Sequence, residues 1–157
     1  MKYHPIDSKL FIRNRKKFSE HMVPNSMAIL NSTDIYPISA DSTMPFQQQR
    51  DIFYLSGVDQ EESVLVIFPD CPKEKNREIL FLKETDERIA VWEGEKLTKE
   101  KALETSGIKT VYWLHEMEKV LFELMTQAES VYVNTNEHYR ANVETETRDA
   151  RFIKWLK

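Results

Sequence analysis

Residues 40–69, with the sequence ADSTMPFQQQRDIFYLSGVDQEESVLVIFP, constrain the fold more than any other part of the chain. The aromatic run that ends at Ser56-Gly57 predicts a short helix, because glycine readily adopts the left-handed conformation that closes a helix. An acidic loop follows. The apolar run at residues 64–68 then predicts a buried strand that Pro69 ends, since proline cannot donate to a sheet ladder. A helix, a loop and a strand in direct succession indicate an α/β domain.

Outside this stretch, short apolar runs alternate with amphipathic patterns. The runs predict strands at residues 27–30, 79–82, 110–113 and 131–133, and the patterns predict helices that start at Ser8, at Thr98 and at His115. We expect the strand at 27–30 to be central, and the strands at 64–68 and 79–82 to be antiparallel because a polar loop joins them. The alternation predicts a single three-layer α/β domain, with one mixed sheet of five or six strands flanked by helices.

Composition excludes several classes of protein. The 157 residues, of which 41% are hydrophobic, suffice for one core and are too few for two well-formed domains. A net charge of −4 argues against nonspecific nucleic-acid binding. Cys71 is the only cysteine, which excludes an internal disulfide and fits a reducing compartment. The sequence lacks a secretory signal and an apolar run of the ~20 residues that cross a bilayer, so we predict a cytoplasmic protein without membrane contact.

The sequence contains little that indicates catalysis. The four histidines are far apart, and the zinc-hydrolase motif that His115-Glu116 could begin has Lys119 in place of its second histidine. Three glycines cannot build a phosphate-binding loop, and no serine stands in a G-x-S-x-G elbow. The aspartates that could surround a metal, as in nuclease folds, are Asp7, Asp34, Asp41 and Asp51. Nothing in the sequence brings them together, so we predict no catalytic residue and no metal ligand within residues 1–157.

Three motifs within residues 39–67 resemble one family. The S-A-D-S tetrapeptide that contains Asp41, the run P-F-x-Q-x-x-D-x-F-Y-L-S-G-V that starts at Pro45, and the run E-x-S-V-L-V-I after it resemble the amino-terminal domain of Xaa-Pro aminopeptidases (aminopeptidase P) and related prolidases. The segment V-W-E-G around Trp92 and the helix that ends at Gly107 follow in the order that this creatinase and prolidase family shows. The resemblance covers residues 10–133 and implies a fold similar to ribonuclease H.

The resemblance implies a two-domain metallopeptidase in which residues 1–157 form the noncatalytic amino-terminal domain. In this family a carboxyl-terminal pita-bread domain, expected beyond residue 157, holds two divalent metals, commonly manganese, with zinc and cobalt as alternatives. The implied reaction removes the first residue from peptides whose second residue is proline. The amino-terminal domain shapes the substrate cleft and supports oligomerisation, and alone it is expected to be inactive. We interpret the apolar cluster before Lys157 as a cut through a linker helix.

The resemblance also assigns two residues to the substrate cleft. Asp41 matches a family aspartate that faces the active site; its alternative role is to cap a turn or a helix. Trp92 matches a loop tryptophan that reaches a neighbouring subunit's active site, where it could pack on a proline ring; its alternative role is a core anchor. The implied partners are a peptide with proline second, the protein's own catalytic domain, and further copies in a homodimer or homotetramer.

Two other functions stay open at this point. One is a peptide-binding domain without catalysis, as in histone-chaperone subunits that resemble these peptidases and have lost the metal ligands. The other is a prolidase that acts only on Xaa-Pro dipeptides, because prolidases share this domain. Metal ligands encoded beyond residue 157 would separate the first from the peptidases, and a comparison of dipeptides with longer substrates would separate the second.

Overall fold

The computed structural model describes residues 4–85, 96–135 and 148–157. In chain order the elements are α1 (Ser8–Ser19), β1 (Ser26–Asn31), β2 (Pro37–Ser39), β3 (Ser42–Thr43), α2 (Arg50–Ser56), β4 (Val64–Ile67), β5 (Glu78–Leu82), α3 (Lys99–Ser106), β6 (Thr110–Trp113), α4 (Met117–Met125), β7 (Ser130–Val133) and α5 (Arg148–Leu156). Short 3-10 turns lie at Glu74–Asn76 and Leu114–Glu116. The alternation of helices and strands is that of an α/β domain.

Five of the strands form one mixed sheet in the order β6-β5-β4-β1-β7. β4 pairs antiparallel with β1 and with β5, whereas β7 lies parallel to β1 and β6 lies parallel to β5. Every residue of β1 and β4 is buried, as in strands that are covered on both faces. β4 is the middle strand, and β1, which was predicted to be central, lies between β4 and β7. The predicted antiparallel pairing of β4 with β5 is confirmed. β2 and β3 form a separate two-stranded hairpin.

Two hydrophobic cores separate the sheet from two layers of helices. The helices α1, α2 and α3 cover the face on which Leu65 and Leu80 point outward from the sheet. The helices α4 and α5 cover the opposite face, which carries Val66 and Phe81. Neighbouring residues of β4 thus enter different cores, as the two-residue period of a strand requires. The arrangement confirms the predicted three-layer fold, and within the described residues the sheet has five strands.

The helix α1 is fixed onto the ends of two other helices. Both α2 and α3 end in a serine followed by a left-handed glycine, at Ser56-Gly57 and at Ser106-Gly107. The fully buried Arg15 side chain donates from Nη1 to the carbonyl oxygens of Leu55 at 2.8 Å and of Ser106 at 2.9 Å. A guanidinium at two helix carboxyl ends satisfies carbonyls that lack helical partners and opposes the partial negative charge there.

Some boundaries differ from the sequence-based predictions. The predicted cap at Ser8 is wrong by one residue, because Asp7 is the N-cap and its carboxylate accepts from the Lys9 amide at 2.9 Å. The helix predicted from His115 begins at Met117, after a 3-10 turn. The hairpin of β2 and β3 was not predicted, since its seven residues include no apolar run. Its turn places Ala40 at a φ of +49°.

Candidate functional site

The carboxyl ends of four strands meet at one end of the sheet. β1, β5, β6 and β7 run in the same direction, because β4 is antiparallel to both β1 and β5. In open α/β sheets, ligands bind outside the carboxyl ends of parallel strands. The β2–β3 hairpin follows β1 at this end, and the turn before β4 lies there too. The carboxyl end of the sheet is therefore the candidate site.

Asp41 lies at the tip of the β2–β3 hairpin, and its side chain is exposed. Four large apolar side chains of the hairpin and its flanks are also exposed, by 41% to 60%: Ile35, Tyr36, Ile38 and Met44. An apolar patch of this kind is typical of a surface that contacts another molecule or domain. The position of Asp41 is compatible with a cleft-facing role and with its alternative role in a turn, so the assignment stays a prediction.

Trp92 lies outside the described residues, so its predicted role stays a prediction as well. The residues on either side of its segment are described: β5 leads into Lys83, and Lys96 leads into α3. The segment therefore starts at the carboxyl end of β5, which is the end of the sheet where the hairpin of Asp41 lies.

A polar network holds the turn before β4 in place. Gln48 Nε2 donates to the carbonyl oxygens of Val58 at 3.1 Å and of Gln60 at 2.9 Å, and Ser63 Oγ donates to the same Gln60 oxygen at 2.8 Å. Ser63 and Ser32 exchange two further hydrogen bonds, which join the start of β4 to the end of β1. Gln48, the glutamine of the P-F-x-Q motif, thus positions the turn that leads into β4.

Residues 60–62, here called the acidic turn, contact the chain on its way into α3. Gln60 Oε1 accepts a hydrogen bond from the Leu97 amide at 2.7 Å. Glu61 forms an ion pair with Lys96, and only 12% and 13% of the two side chains are exposed. Exclusion of water strengthens the attraction between the two charges, and removing either side chain would leave the other charge largely buried without this partner. The acidic turn thus fixes the start of the segment that leads to α3.

The acidic turn also contacts the chain that leaves β5. Glu62 Oε2 lies 3.2 Å from Lys83 Nζ, and both side chains are about one-third exposed. The Glu62 backbone has a φ of +51°, in the left-handed region that non-glycine residues seldom adopt. Two successive carboxylates therefore pair with lysines that are 13 positions apart in the sequence, Lys83 and Lys96.

A second polar cluster, here called the α5 seam, joins α5 to the carboxyl end of β1. Asn31 Nδ2 donates to Asp149 Oδ1 at 2.9 Å, and Arg151 Nη2 donates to Asp34 Oδ1 at 2.7 Å. Burial raises the pKa of the Asp149 carboxyl, against the opposing effect of the hydrogen bond from Asn31. The charges of Arg148, which lowers this pKa, and of Asp34 and Asp51, which raise it, have smaller effects.

A groove of about 380 Å³ lies between α1, α2 and β7. Its walls are largely apolar and include Leu55 and the exposed aromatic rings of Tyr54 and Tyr132. Asp51 and Asn134 border it, and Asn134 Nδ2 donates to Asp51 Oδ2 at 2.8 Å. Apolar walls with a few polar groups are typical of small ligand sites and of domain contacts.

The four aspartates that could have formed a nuclease-like site are divided among different parts of the fold. Asp7 caps α1, Asp41 lies at the hairpin tip, and only Asp34 and Asp51 approach the α5 seam. Within residues 4–85, 96–135 and 148–157, no group of three or more His, Cys, Asp or Glu side chains is arranged to hold a metal ion.

For several residues at the carboxyl end of the sheet, the sequence analysis predicted no contact or role. Gln48 belongs to the family-like run, but the sequence did not indicate that its amide would reach Gln60, twelve positions away. The acidic loop was recognised, whereas its pairing with Lys83 and Lys96 was not, because nothing in the sequence pattern specifies contacts between loops. Asp149 stands in a charged helix and carries no local signal.

The sequence profile of one family, described as "Aminopeptidase P, N-terminal domain", matches residues 11–132. This chain belongs to that family. Among curated relatives, the Xaa-Pro aminopeptidase of Escherichia coli is 29% identical over 138 residues, which cover 88% of this chain and 31% of the enzyme. The mitochondrial intermediate cleaving peptidase 55 of Arabidopsis thaliana is 25% identical over 124 residues, which cover 79% of this chain and 24% of that protein.

Solved structures of aminopeptidase P have the same fold. The low-pH form of the E. coli enzyme superposes with a TM-score of 0.75 at 28% identity, over 88% of this chain and 31% of the enzyme. Aminopeptidase PepP of Pseudomonas aeruginosa superposes with a TM-score of 0.79 at 24% identity, over 96% of this chain and 32% of that one. The aminopeptidase P N-terminal domain described here thus spans about one-third of the length of these relatives. Within its described residues, no helix is long and apolar enough to cross a membrane.

Proposed function

We propose that this chain is the noncatalytic amino-terminal domain of a metal-dependent Xaa-Pro aminopeptidase, an enzyme that removes the first residue from peptides with proline second. The observation that carries the proposal is the family match over residues 11–132, together with 29% identity to an enzyme named Xaa-Pro aminopeptidase. Because this chain spans about one-third of such relatives, the reaction itself would take place in a further domain.

The metals belong to that further domain in this proposal. A pita-bread domain beyond residue 157 would hold two divalent ions, manganese with zinc or cobalt as alternatives, which supply an activated water for attack on the peptide bond. One observation supports the metal requirement: one solved relative is a zinc-substituted E. coli aminopeptidase P in complex with product.

The present domain would contribute to the substrate cleft through Asp41 and Trp92. Asp41 is exposed on an apolar hairpin at the carboxyl end of the sheet, where a second domain could cover it. Trp92 lies in the connection that leaves β5 at the same end, and an indole ring offers a flat apolar surface for a proline ring. Neither residue performs chemistry; both position the peptide.

The proposed partners follow from the same surfaces. They are a peptide with proline second, the protein's own catalytic domain, and identical subunits in a dimer or tetramer. Support comes from the exposed apolar side chains of the hairpin and from the groove beside β7, both of which are unusual for a surface that faces only water. The proposed location is the cytoplasm, which agrees with the single buried free cysteine.

Activity assays test the division of labour. The 157-residue chain with manganese should not hydrolyse Xaa-Pro peptides, whereas the full-length protein should, and a metal chelator should abolish that activity. Turnover by the short chain above background would contradict the proposal, as would an inactive full-length protein. Comparing dipeptides with longer Xaa-Pro peptides identifies a prolidase, which would hydrolyse only the dipeptides.

Substitutions in the full-length protein test the two cleft residues. We expect Trp92→Ala and Asp41→Asn each to lower kcat/KM on Xaa-Pro peptides about tenfold or more, because binding interactions that position the substrate are lost. Phe122→Ala is the matched control. This aromatic ring is 71% exposed on α4, which lies on the face of the sheet opposite α1, α2 and α3. An unchanged kcat/KM in Trp92→Ala, with an unchanged oligomer, would refute the assignment of Trp92.

A further inference from the structure

The acidic turn makes two contacts where the β5-to-α3 connection enters α3. The Leu97 amide donates to Gln60 Oε1 at 2.7 Å, and Lys96 pairs with Glu61 in a site where both side chains are nearly buried. A buried carboxylate needs a partner, because an unpaired charge away from water is costly. Together the two contacts restrain two neighbouring residues of the connection, Lys96 and Leu97.

The same turn contacts the other end of the connection, just after β5. Glu62 pairs with Lys83 across 3.2 Å. Glu61 and Glu62 are neighbours in the chain, yet their carboxylates pair with lysines on two different segments. The turn therefore contacts the connection just after β5 through Glu62 and just before α3 through Gln60 and Glu61.

The turn itself is rigid enough to serve as an anchor. The carbonyl oxygen of Gln60 accepts from both Gln48 Nε2 and Ser63 Oγ, and Ser63 is bonded to Ser32 at the end of β1. Gln60 and Glu61 are buried, at 5% and 9% exposure. The anchor is therefore tied to the central strands of the sheet and not only to a surface loop.

We propose that Gln60, Glu61 and Glu62 are positioning residues that fix both ends of the β5-to-α3 connection at the carboxyl end of the sheet. The proposal rests on the proposed function, because the connection carries Trp92, to which that function assigns contact with the substrate. It is based on the three contacts that the acidic turn makes with Lys83, Lys96 and Leu97, all of which lie within the described residues. Loss of these contacts alters the placement of the connection and, through it, the binding of the peptide.

Limited proteolysis tests the anchor without any assay of activity. Arg88 is the only trypsin site within residues 84–95, so its cleavage in the full chain reports how firmly the connection is held. We expect Glu61→Gln and Lys96→Met each to accelerate this cleavage about tenfold, and Glu62→Gln about twofold because its pair is more exposed. Glu104→Gln, at an exposed position of α3, is the control and should not change the rate. Unchanged cleavage in both Glu61→Gln and Lys96→Met would overturn the anchor.

Kinetics of the full-length protein test whether the anchor acts through Trp92. We expect Glu61→Gln to raise KM for Xaa-Pro peptides about fivefold and to leave kcat nearly unchanged, and we expect no further effect in a protein that already carries Trp92→Ala. Additive effects of the two substitutions would contradict a positioning role, as would a fall in kcat alone. A full-length protein without peptidase activity would refute the proposed function, whereas the proteolysis result would still decide whether the anchor exists.

Discussion

The Arg15 cluster and the acidic turn both hold loops and helix ends in place with buried polar groups, but they differ in what they join. Arg15 joins α1 to the ends of α2 and α3, and its guanidinium Nε also lies 3.0 Å from Glu78 Oε2 at the start of β5. All of these partners lie in regular helices and strands. The acidic turn joins the sheet to a connection that leaves it at the carboxyl end.

The difference shows where a buried charge serves stability and where it serves position. Around Arg15 the partners are backbone carbonyls of regular helices, so loss of the guanidinium leaves acceptors unsatisfied in the interior. Around the acidic turn the partners are lysine side chains and one amide of a loop, so a lost contact frees the loop and leaves the cores intact. Substitutions in the first cluster should therefore reduce stability, and those in the second should alter loop placement.

The largest loss of stability is expected from Arg15→Met. This change keeps most of the side-chain volume but leaves the carbonyl oxygens of Leu55 and Ser106 without their donor and Glu78 without its partner. We expect the free energy of unfolding to fall by about 3–5 kcal/mol, because two buried carbonyl oxygens each lose a donor at a cost of about 1–3 kcal/mol. Urea denaturation measures this change. Arg13→Met, on the exposed face of α1, is the control and should alter stability by less than about 0.5 kcal/mol. If both variants were equally stable, the distinction between the two clusters would fail.

A smaller loss is expected at the two glycines that end α2 and α3. A Cβ at Gly57, where φ is +71°, would lie 2.3 Å from Cε2 of Phe11; one at Gly107, where φ is +74°, would lie 2.6 Å from Cδ1 of Ile12. The Phe11 ring cannot shift easily, because it packs edge-on against Phe53, whereas the Ile12 terminus can rotate away. We expect Gly57→Ala to cost about 2–4 kcal/mol and Gly107→Ala about 1–2 kcal/mol in urea denaturation. The reverse order would show that the two helix ends do not depend on α1 in this way.

These glycines also show how far the sequence alone could lead. Each was predicted to end a helix, because the need for a left-handed residue is local and is visible in the pattern. The packing of α1 on both glycines was not predicted. A close approach between Phe11 and Gly57, 46 positions apart, depends on the tertiary arrangement and leaves no periodic signal in the chain.

The candidate site was less predictable than the fold, for a related reason. The strands and the three layers follow from apolar periodicity, which the sequence displays directly. Asp41 and Trp92 were predicted from the resemblance to a family, and their proposed roles in a substrate cleft stay predictions. The partners of Gln48 and Glu61 lie across loops, where side-chain geometry and not pattern decides which groups meet. Sequence motifs therefore identified the family more readily than they predicted which side chains contact each other across loops.

The smallest effect, and the one with a distinctive dependence on pH, is expected at the α5 seam. Burial raises the pKa of the Asp149 carboxyl above its ordinary value of 3.8, so protonation favours the folded state. The stabilising contribution of this group is complete below about pH 3.8 and is lost as the pH rises through the raised pKa. Near neutral pH the Asp149 carboxylate is therefore ionised, and its burial in that form lowers the free energy of unfolding.

Asp149→Asn should remove this cost. An asparagine there would still accept from Asn31 Nδ2, and its own amide could donate to Asn31 Oδ1, a buried acceptor that has no partner among the described residues. We expect the variant to resist urea better at pH 7, by up to about 1 kcal/mol, and the gain to vanish by about pH 3. Asp34→Asn is the matched control: it loses the ion pair with Arg151 and should cost about 0.5 kcal/mol at pH 7. If Asp149→Asn were destabilising at pH 7 by as much as Asp34→Asn, the ionised carboxylate would be a favourable member of the seam, and the seam would resemble the Arg15 cluster in depending on charge for stability.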